Sequence, residues 1–170
     1  YGDWSSDVCS SDLRSVLPTT GILMNNGMMW FDPVPGKPNS IEAGKRPLTN
    51  MCPVIGTRNG KGWFAIGGSG GRKILPAILQ ICSFISDSGM TLEEAFHQPR
   101  IDVSAPDKAT ADLRLDARTI AAVAKVVPTT EVEAAAYPGN FANPIAVLRN
   151  GKTNEGMTNV TLPSASVAVG

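Results

Sequence analysis

The run Gly67-Gly68-Ser69-Gly70-Gly71 narrows the folds open to this chain more than any other segment. Before it, Trp63 to Ile66 is a short apolar run. After it, Ile74, Leu75, Ile78, Leu79, Ile81, Cys82 and Ile85 recur at helical spacing up to about Asp87. Glycines concentrated at that junction remove side-chain bulk where the chain must turn, so the pattern predicts a strand, a glycine loop and a buried helix. Such a loop points several backbone N–H groups one way at the positive end of a helix dipole, where negative charge is stabilised. It is the best candidate functional site in the sequence.

Four readings of the loop stand side by side. A phosphate or dinucleotide loop lacks both the G-x-x-x-x-G-K-[ST] pattern and a following βα unit with a ribose-binding acid. A nucleophile elbow fits G-x-S-x-G around Ser69, with Asp87 and His97 following in hydrolase order but close in sequence. His97 is the only histidine, and its place at the end of a short helix also suits a simple hydrogen-bonded helix terminus. An oxyanion hole would offer the Gly70 and Gly71 amides to a tetrahedral intermediate generated by a residue elsewhere. A tight turn alone is the fourth reading.

Around the loop the pattern predicts α+β layers. Val16 to Met24 reads as a strand interrupted by Pro18 and Gly21, and Phe31 to Ser40 as a Pro-rich surface excursion. Met51–Thr57 and Trp63–Ile66, separated by Arg58-Asn59-Gly60-Lys61, read as an antiparallel hairpin. Gly89 stops the long helix, and Thr91 with Glu94 forms a capping box for a short helix ending before Pro99. Strands are expected near Ile101–Val103, Asp112–Leu115, Val132 and Ile145–Leu148, with a helix from about Arg118 to Val127 capped by Asp116. The end after Gly156 has only weak strand character. Apolar faces along Val16–Met24 and Met51–Ile66 are expected to be exposed and prone to association.

Fifteen basic and fifteen acidic residues cancel, which removes any argument for a nucleic-acid or anionic-membrane partner. Cys9, Cys52 and Cys82 include no C-x-x-C pair, so free thiols are expected and neither a metal site nor a cofactor is implied. No apolar run approaches the ~20 residues of a membrane helix, and there is no basic-then-apolar start of the signal-peptide type. The segment Asp3–Leu13 is Ser/Asp-rich and without period. It matches the translation of one reading frame of a common sequencing adapter, so residues 1–13 are expected to be an artefactual tail and residues 14–170 the natural domain.

Four ordered blocks then carry a resemblance. Gly21-Ile22-Leu23-Met24-Asn25-Asn26, Gly44-Lys45-Arg46-Pro47-Leu48-Thr49-Asn50-Met51-Cys52-Pro53, Gly67 to Gly71 and Gln98-Pro99-Arg100 resemble γ-glutamyltransferases in order and spacing, from about Leu17 to the C-terminus. The resemblance implies the C-terminal part of a small subunit with the four-layer αββα sandwich of N-terminal-nucleophile hydrolases, partial in this chain. It implies a self-cleaving precursor whose freed N-terminal threonine attacks a γ-glutamyl amide and passes the acyl group to water or an amine. That threonine would precede Gly21 by some tens of residues, and Thr19 and Thr20 are misplaced to replace it. The nucleophile is therefore expected to be absent from this chain, which would be inactive alone and would need the large subunit of the same precursor.

Carried over by position, Gly70 and Gly71 resemble the oxyanion donors. Thr49 and Asn50 stand where a serine pair binds the substrate α-carboxylate, although loop capping after Pro47 would suit them equally. Lys45 and Arg46 read as structural ion-pair residues. Gly27 stands in the place of a glutamine and Trp30 in the place of an aspartate, both substrate-amine contacts. Tryptophan offers no carboxylate to an ammonium, and losing such a charged hydrogen bond costs on the order of 1.5–3 kcal/mol. The expected activity is thus on a small-molecule amide, either a γ-glutamyl compound such as glutathione or, preferably, an acyl amide lacking a free α-amine. A non-catalytic remnant that binds a large subunit and a serine hydrolase using Ser69 are the alternatives.

Overall fold

A computed structural model of the chain describes residues 16–21, 27–135, 139–161 and 165–168. The Ser/Asp-rich segment, Cys9 and the block 22–26 with Asn25 and Asn26 lie outside the described residues. The chain divides into two compact units, residues 1–50 and 51–170.

In the first unit the expected strand from Val16 does not form over the described residues. The N–H groups of Thr20 and Gly21 donate to the Leu17 carbonyl at 3.2 and 2.9 Å, so Pro18 opens a turn instead. Gly27–Trp30 is a single 3₁₀ turn. The Pro-rich excursion closes on itself through an isolated bridge between Asp32 and Ser40 and an ion pair from Lys37 Nζ to Asp32 Oδ2 at 2.8 Å. Of the two expected ion-pair residues, Lys45 pairs with Glu42 at 3.8 Å, and Arg46 has no ion pair among the described residues.

Among the described residues, the second unit holds seven strands and three α-helices. The antiparallel hairpin is β1 (Val54–Arg58) and β2 (Lys61–Ser69), turned by Asn59 and Gly60, both at positive φ. That conformation suits an Asn-Gly pair and matches the twist of the flanking strands. The glycine loop and a short 3₁₀ turn, Gly71–Lys73, lead into α1 (Ile74–Ser86). Pro76 lies in its first turn, where its missing N–H has no helical partner to lose. A capping box starts α2 (Leu92–His97): Glu94 N–H donates to Thr91 Oγ1 at 3.2 Å and Thr91 N–H to Glu94 Oε2 at 2.8 Å. A Thr91→Ala variant is expected to lose about 1 kcal/mol of stability in urea unfolding.

Pro99 holds Gln98 extended, φ −61 and ψ 139, and ends α2. There follow β3 (Ile101–Asp102), β4 (Ala109–Asp112), α3 (Ala117–Ala124, capped by Asp116), β5 (Thr129–Val132), β6 (Asn143–Asn150) and β7 (Thr153–Thr158). The strand expected at Asp112–Leu115 instead ends at Asp112. Its carboxylate accepts from Arg114 N–H at 3.0 Å and its carbonyl from Leu115 N–H at 3.0 Å, folding the chain out of the ladder. The helix expected to reach Val127 ends at Ala124, ahead of Pro128.

The sheets are β1-β2-β6-β7, all antiparallel, and β3-β4-β5, in which β4 and β5 run parallel with α3 between them in sequence. α1 lies over β2 and β6, and α2 over β7. The core is Phe64 and Ile66 of β2, Ile74, Ala77, Ile78, Ile81 and Ile85 of α1, Leu92, Ala95 and Phe96 of α2, and Ala142 and Ala146. Phe64 and Ile66, expected on an exposed face, are therefore buried under α1. The opposite face of the same sheet exposes Ile55, Ile145 and Val147, with Ile55 76 % accessible. This helix-on-sheet layering is the α+β arrangement expected.

Candidate active site

Strand β2 carries the glycine run to the sheet's end, where Gly67, Gly68 and Ser69 still pair with Ile145, Pro144 and Asn143 of β6. The chain leaves the ladder at Gly70, with φ 138, and Gly71, with φ 61. Two consecutive residues in conformations that side chains avoid explain why glycine occupies both. At Gly70 a Cβ would lie 2.7 Å from the Cα and Cβ of Ala142, so the loop sits backbone against backbone there. At Gly71 a Cβ would meet nothing within 4 Å. Among the described residues, no turn or loop hydrogen bond uses the N–H of Gly70 or Gly71. Lys73 N–H donates to the Gly70 carbonyl at 3.2 Å, and Lys73 Nζ to the Gly139 carbonyl at 2.9 Å, which ties the loop to the approach to β6.

Behind the loop lies a buried polar network. Arg100 is 7 % accessible; its Nη1 donates to the Ala142 carbonyl at 3.2 Å, and its Nη2 makes a long 3.5 Å contact with Asn159 Oδ1. Asn159 in turn donates through Nδ2 to Asn143 Oδ1 at 2.6 Å and to Thr161 Oγ1 at 2.8 Å. Burial draws the Arg100 guanidinium down to about 10, against the favourable charge of Asp112, so it stays cationic at neutral pH. Asp112 feels burial as a raising effect. Hydrogen bonds from the side chain and N–H of Arg114, with the charges of Arg114 and Arg100, outweigh it and hold the carboxyl below 3.8.

In the first unit, the structure brings the two expected acyl-binding segments together. Asn39 Nδ2 donates to the Trp30 carbonyl at 2.6 Å, while Asn39 Oδ1 accepts from Leu48 N–H at 2.9 Å. One side chain thus joins the turn bearing Gly27 and Trp30 to the residue just before Thr49 and Asn50. Trp30 is half-buried and Thr49 exposed; Asn50 Oδ1 is buried with no hydrogen-bond partner. Asn39 was not among the residues singled out from the sequence, since an asparagine after Pro38 reads only as a turn residue.

The Ser69 triad is not assembled. Asp87 lies at the far end of α1, whose 13 residues span about 20 Å at 1.5 Å per residue. Its carboxylate accepts from Ser83 and Ser86, which hold its pKa down. His97 is exposed and donates through Nδ1 to the Glu93 carbonyl at 2.8 Å, the helix-terminal role. Ser69 remains in the strand ladder, without the positive φ of a strained elbow. Cys52 and Cys82 are free and half-buried, and burial, then the Cys52 thiol, push Cys82 above 9.0. Among the described residues, no group of three or more His, Cys, Asp or Glu could hold a metal ion, and no helix is long and apolar enough to cross a membrane.

The arrangement offers backbone donors at a strand–helix junction, with no Ser-His-Asp triad assembled beside them among the described residues. The family model described as Gamma-glutamyltranspeptidase matches residues 14–168. The chain belongs to the gamma-glutamyltranspeptidase family. Similar proteins include the Acylase ACY 1 proenzyme of Pseudomonas sp. (strain SE83), 41% identical over 85 residues, which are 50% of this chain and 15% of that protein. The Glutathione hydrolase proenzyme of Arthroderma benhamiae is 37% identical over 119 residues, covering 63% of this chain and 20% of that protein. The chain therefore spans only 15–20% of the length of these relatives. Among solved structures, the gamma-glutamyltranspeptidase from Pseudomonas nitroreducens complexed with L-DON superposes with a TM-score of 0.68 at 26% identity, over 92% of this chain and 86% of that one. The gamma-glutamyltranspeptidase fold, of the N-terminal-nucleophile hydrolase type, is thus the fold of this chain, and the family is one of enzymes.

Proposed function

We propose that this chain supplies the oxyanion-binding and acyl-binding parts of an amide acyltransferase or hydrolase of the gamma-glutamyltranspeptidase family. The observation that carries the reading is the pair of positive-φ glycines, Gly70 and Gly71, at the junction of β2 and the helix, with open space beside Gly71. The nucleophile in this reading is a threonine of the precursor preceding Gly21, and the large subunit of the same precursor completes the pocket. As the threonine oxygen adds to the acyl carbonyl, the carbonyl oxygen gains negative charge and the Gly70 and Gly71 N–H groups take it up. Losing one such donor costs roughly 2.7–4 kcal/mol of transition-state stabilisation. The amine then leaves, and water or a second amine releases the acyl group from the threonine.

Trp30 sets the acyl group. It shares a subsite with Thr49 and Asn50 through Asn39, and it presents an aromatic surface in place of a carboxylate. The unpartnered Asn50 oxygen is the kind of buried polar atom that a bound ligand satisfies. The acyl group favoured is one without a free α-amine, a reading in line with an acylase among the similar proteins. Trp30→Asp in the complete precursor is expected to raise kcat/KM for a γ-glutamyl anilide by about 10- to 100-fold, the worth of one charged hydrogen bond. Activity on the deamino analogue should fall in the same variant. No gain on the glutamyl substrate would overturn the assignment of Trp30. Association with the large subunit at background activity would favour the binding-only role instead.

A further inference from the structure

We propose that Arg100 is a positioning residue for the glycine loop, holding Gly70 and Gly71 in place by gripping the backbone of Ala142 against which Gly70 packs. Ala142 lies just before β6, and Asn143, the first residue of that strand, is the last to pair with β2. Its carbonyl accepts from Arg100 Nη1 at 3.2 Å. The Gly70 backbone lies so close to Ala142 that a Cβ would overlap its Cα and Cβ at 2.7 Å. A displacement of Ala142 is therefore passed to Gly70 with no compressible side chain between them.

Arg100 is itself fixed from several sides. Gln80 on α1 donates through Nε2 to the Ile101 carbonyl at 2.7 Å and accepts from Ile101 N–H at 2.9 Å, clamping the adjacent peptide as a strand partner would. Asp112 N–H donates to the Arg100 carbonyl at 3.0 Å, and the Phe141 ring centroid lies 5.8 Å from the guanidinium carbon. The contacts close a ring. The loop leads into α1, Gln80 of α1 holds Ile101, Arg100 holds Ala142, and Ala142 bears on the loop. Burying a guanidinium costs several kcal/mol, and an apolar side chain of similar length would fill the space. What such a side chain could not do is hold a carbonyl through a planar fork of N–H donors.

The catalytic consequence rests on the oxyanion reading of the previous subsection; the mechanical one does not. The test uses the 170-residue chain, ¹⁵N-labelled, with Arg100→Met and Arg100→Lys, and with Asn159→Ser as a variant that weakens the grip without removing the charge. In Arg100→Met the amide order parameters of Gly70 and Gly71 are expected to drop from about 0.85 to below about 0.6, while those of β1 and α2 stand. Arg100→Lys, which keeps one donor for Ala142, should restore most of the rigidity, and Asn159→Ser should give an intermediate drop. If Arg100→Met does not fold, the Asn159→Ser chain decides the matter by the same reading. Unchanged Gly70 and Gly71 order, or a loosening spread evenly over residues 51–168, would overturn the proposal. In the complete precursor, Arg100→Met is expected to lower kcat with little change in KM, and Arg100→Lys to recover most of the loss. A loosened loop with unchanged kcat would overturn the oxyanion reading and leave the positioning role standing.

Discussion

Gly70→Ala is expected to abolish acyl transfer by the complete precursor and to destabilise residues 51–170 by on the order of 3 kcal/mol. Two effects combine. At φ 138 an alanine is strained wherever it sits. In addition, its methyl would lie 2.7 Å from two atoms of Ala142, one of them backbone, where no side-chain rotation relieves the overlap. The loop must move, and donors displaced by an ångström no longer meet the developing oxyanion. Gly71→Ala provides the internal comparison, because the space there is open and only the positive φ is penalised. Urea unfolding of both variants, with kcat on one anilide substrate, separates the two. Equal losses at Gly70 and Gly71 would show that the Ala142 contact is unimportant.

Asp112→Asn should produce the second large loss, about 3 kcal/mol at neutral pH, near the lower end for breaking a buried charged pair. The carboxylate is 2 % accessible and accepts from Arg114 Nη2 at 2.6 Å, from Nε at 3.1 and 3.2 Å, and from the Arg114 N–H at 3.0 Å. An asparagine of the same shape can accept only part of this set and leaves Arg114 and the nearby Arg100 uncompensated. Arg114 is half-exposed, which lets water screen it and keeps the loss from being larger. The sign with pH follows from the direction of the shift. The folded carboxyl titrates below 3.8, so its contribution is complete above the unfolded value and is lost as pH falls through the folded one. Wild type should therefore lose stability as pH falls through and below the ordinary carboxylate range, along a limb that Asp112→Asn lacks. A variant with the same acid limb would assign that limb to another carboxylate.

The Gly70 prediction concerns a contact with Ala142, far away in sequence, and contacts of that kind were the ones that the residue pattern did not announce. Arg100 reaches Ala142 across 42 residues and Asn159 across 59. Its motif with Gln98 and Pro99 was visible, but nothing in the pattern said that the guanidinium turns inward onto a carbonyl. Strand β7 was missed for a related reason. Thr153–Thr158 has little apolar alternation, and it is held as an edge strand by its ladder to β6. Asn150-Gly151, with Gly151 at φ 64 in the turn between them, was an Asn-Gly hairpin signal that went unread.

What depends on neighbours within a few positions was legible in the residues alone. Asn59-Gly60 made the hairpin turn, Thr91 and Glu94 capped α2, Asp116 capped α3, and the spacing of Ile74, Ile78, Ile81 and Ile85 made a buried helix after the glycine loop. Backbone dihedrals and i to i+4 contacts are set locally, so residue type alone reports them. Packing alone settled which polar groups meet: Asn39 between Trp30 and Leu48, Arg100 on Ala142, and Asp87 kept apart from Ser69 by the length of a helix. The physical reason is that a hydrogen bond requires its two groups to come within about 3 Å. Groups many residues apart reach that separation only after the core beneath them has packed.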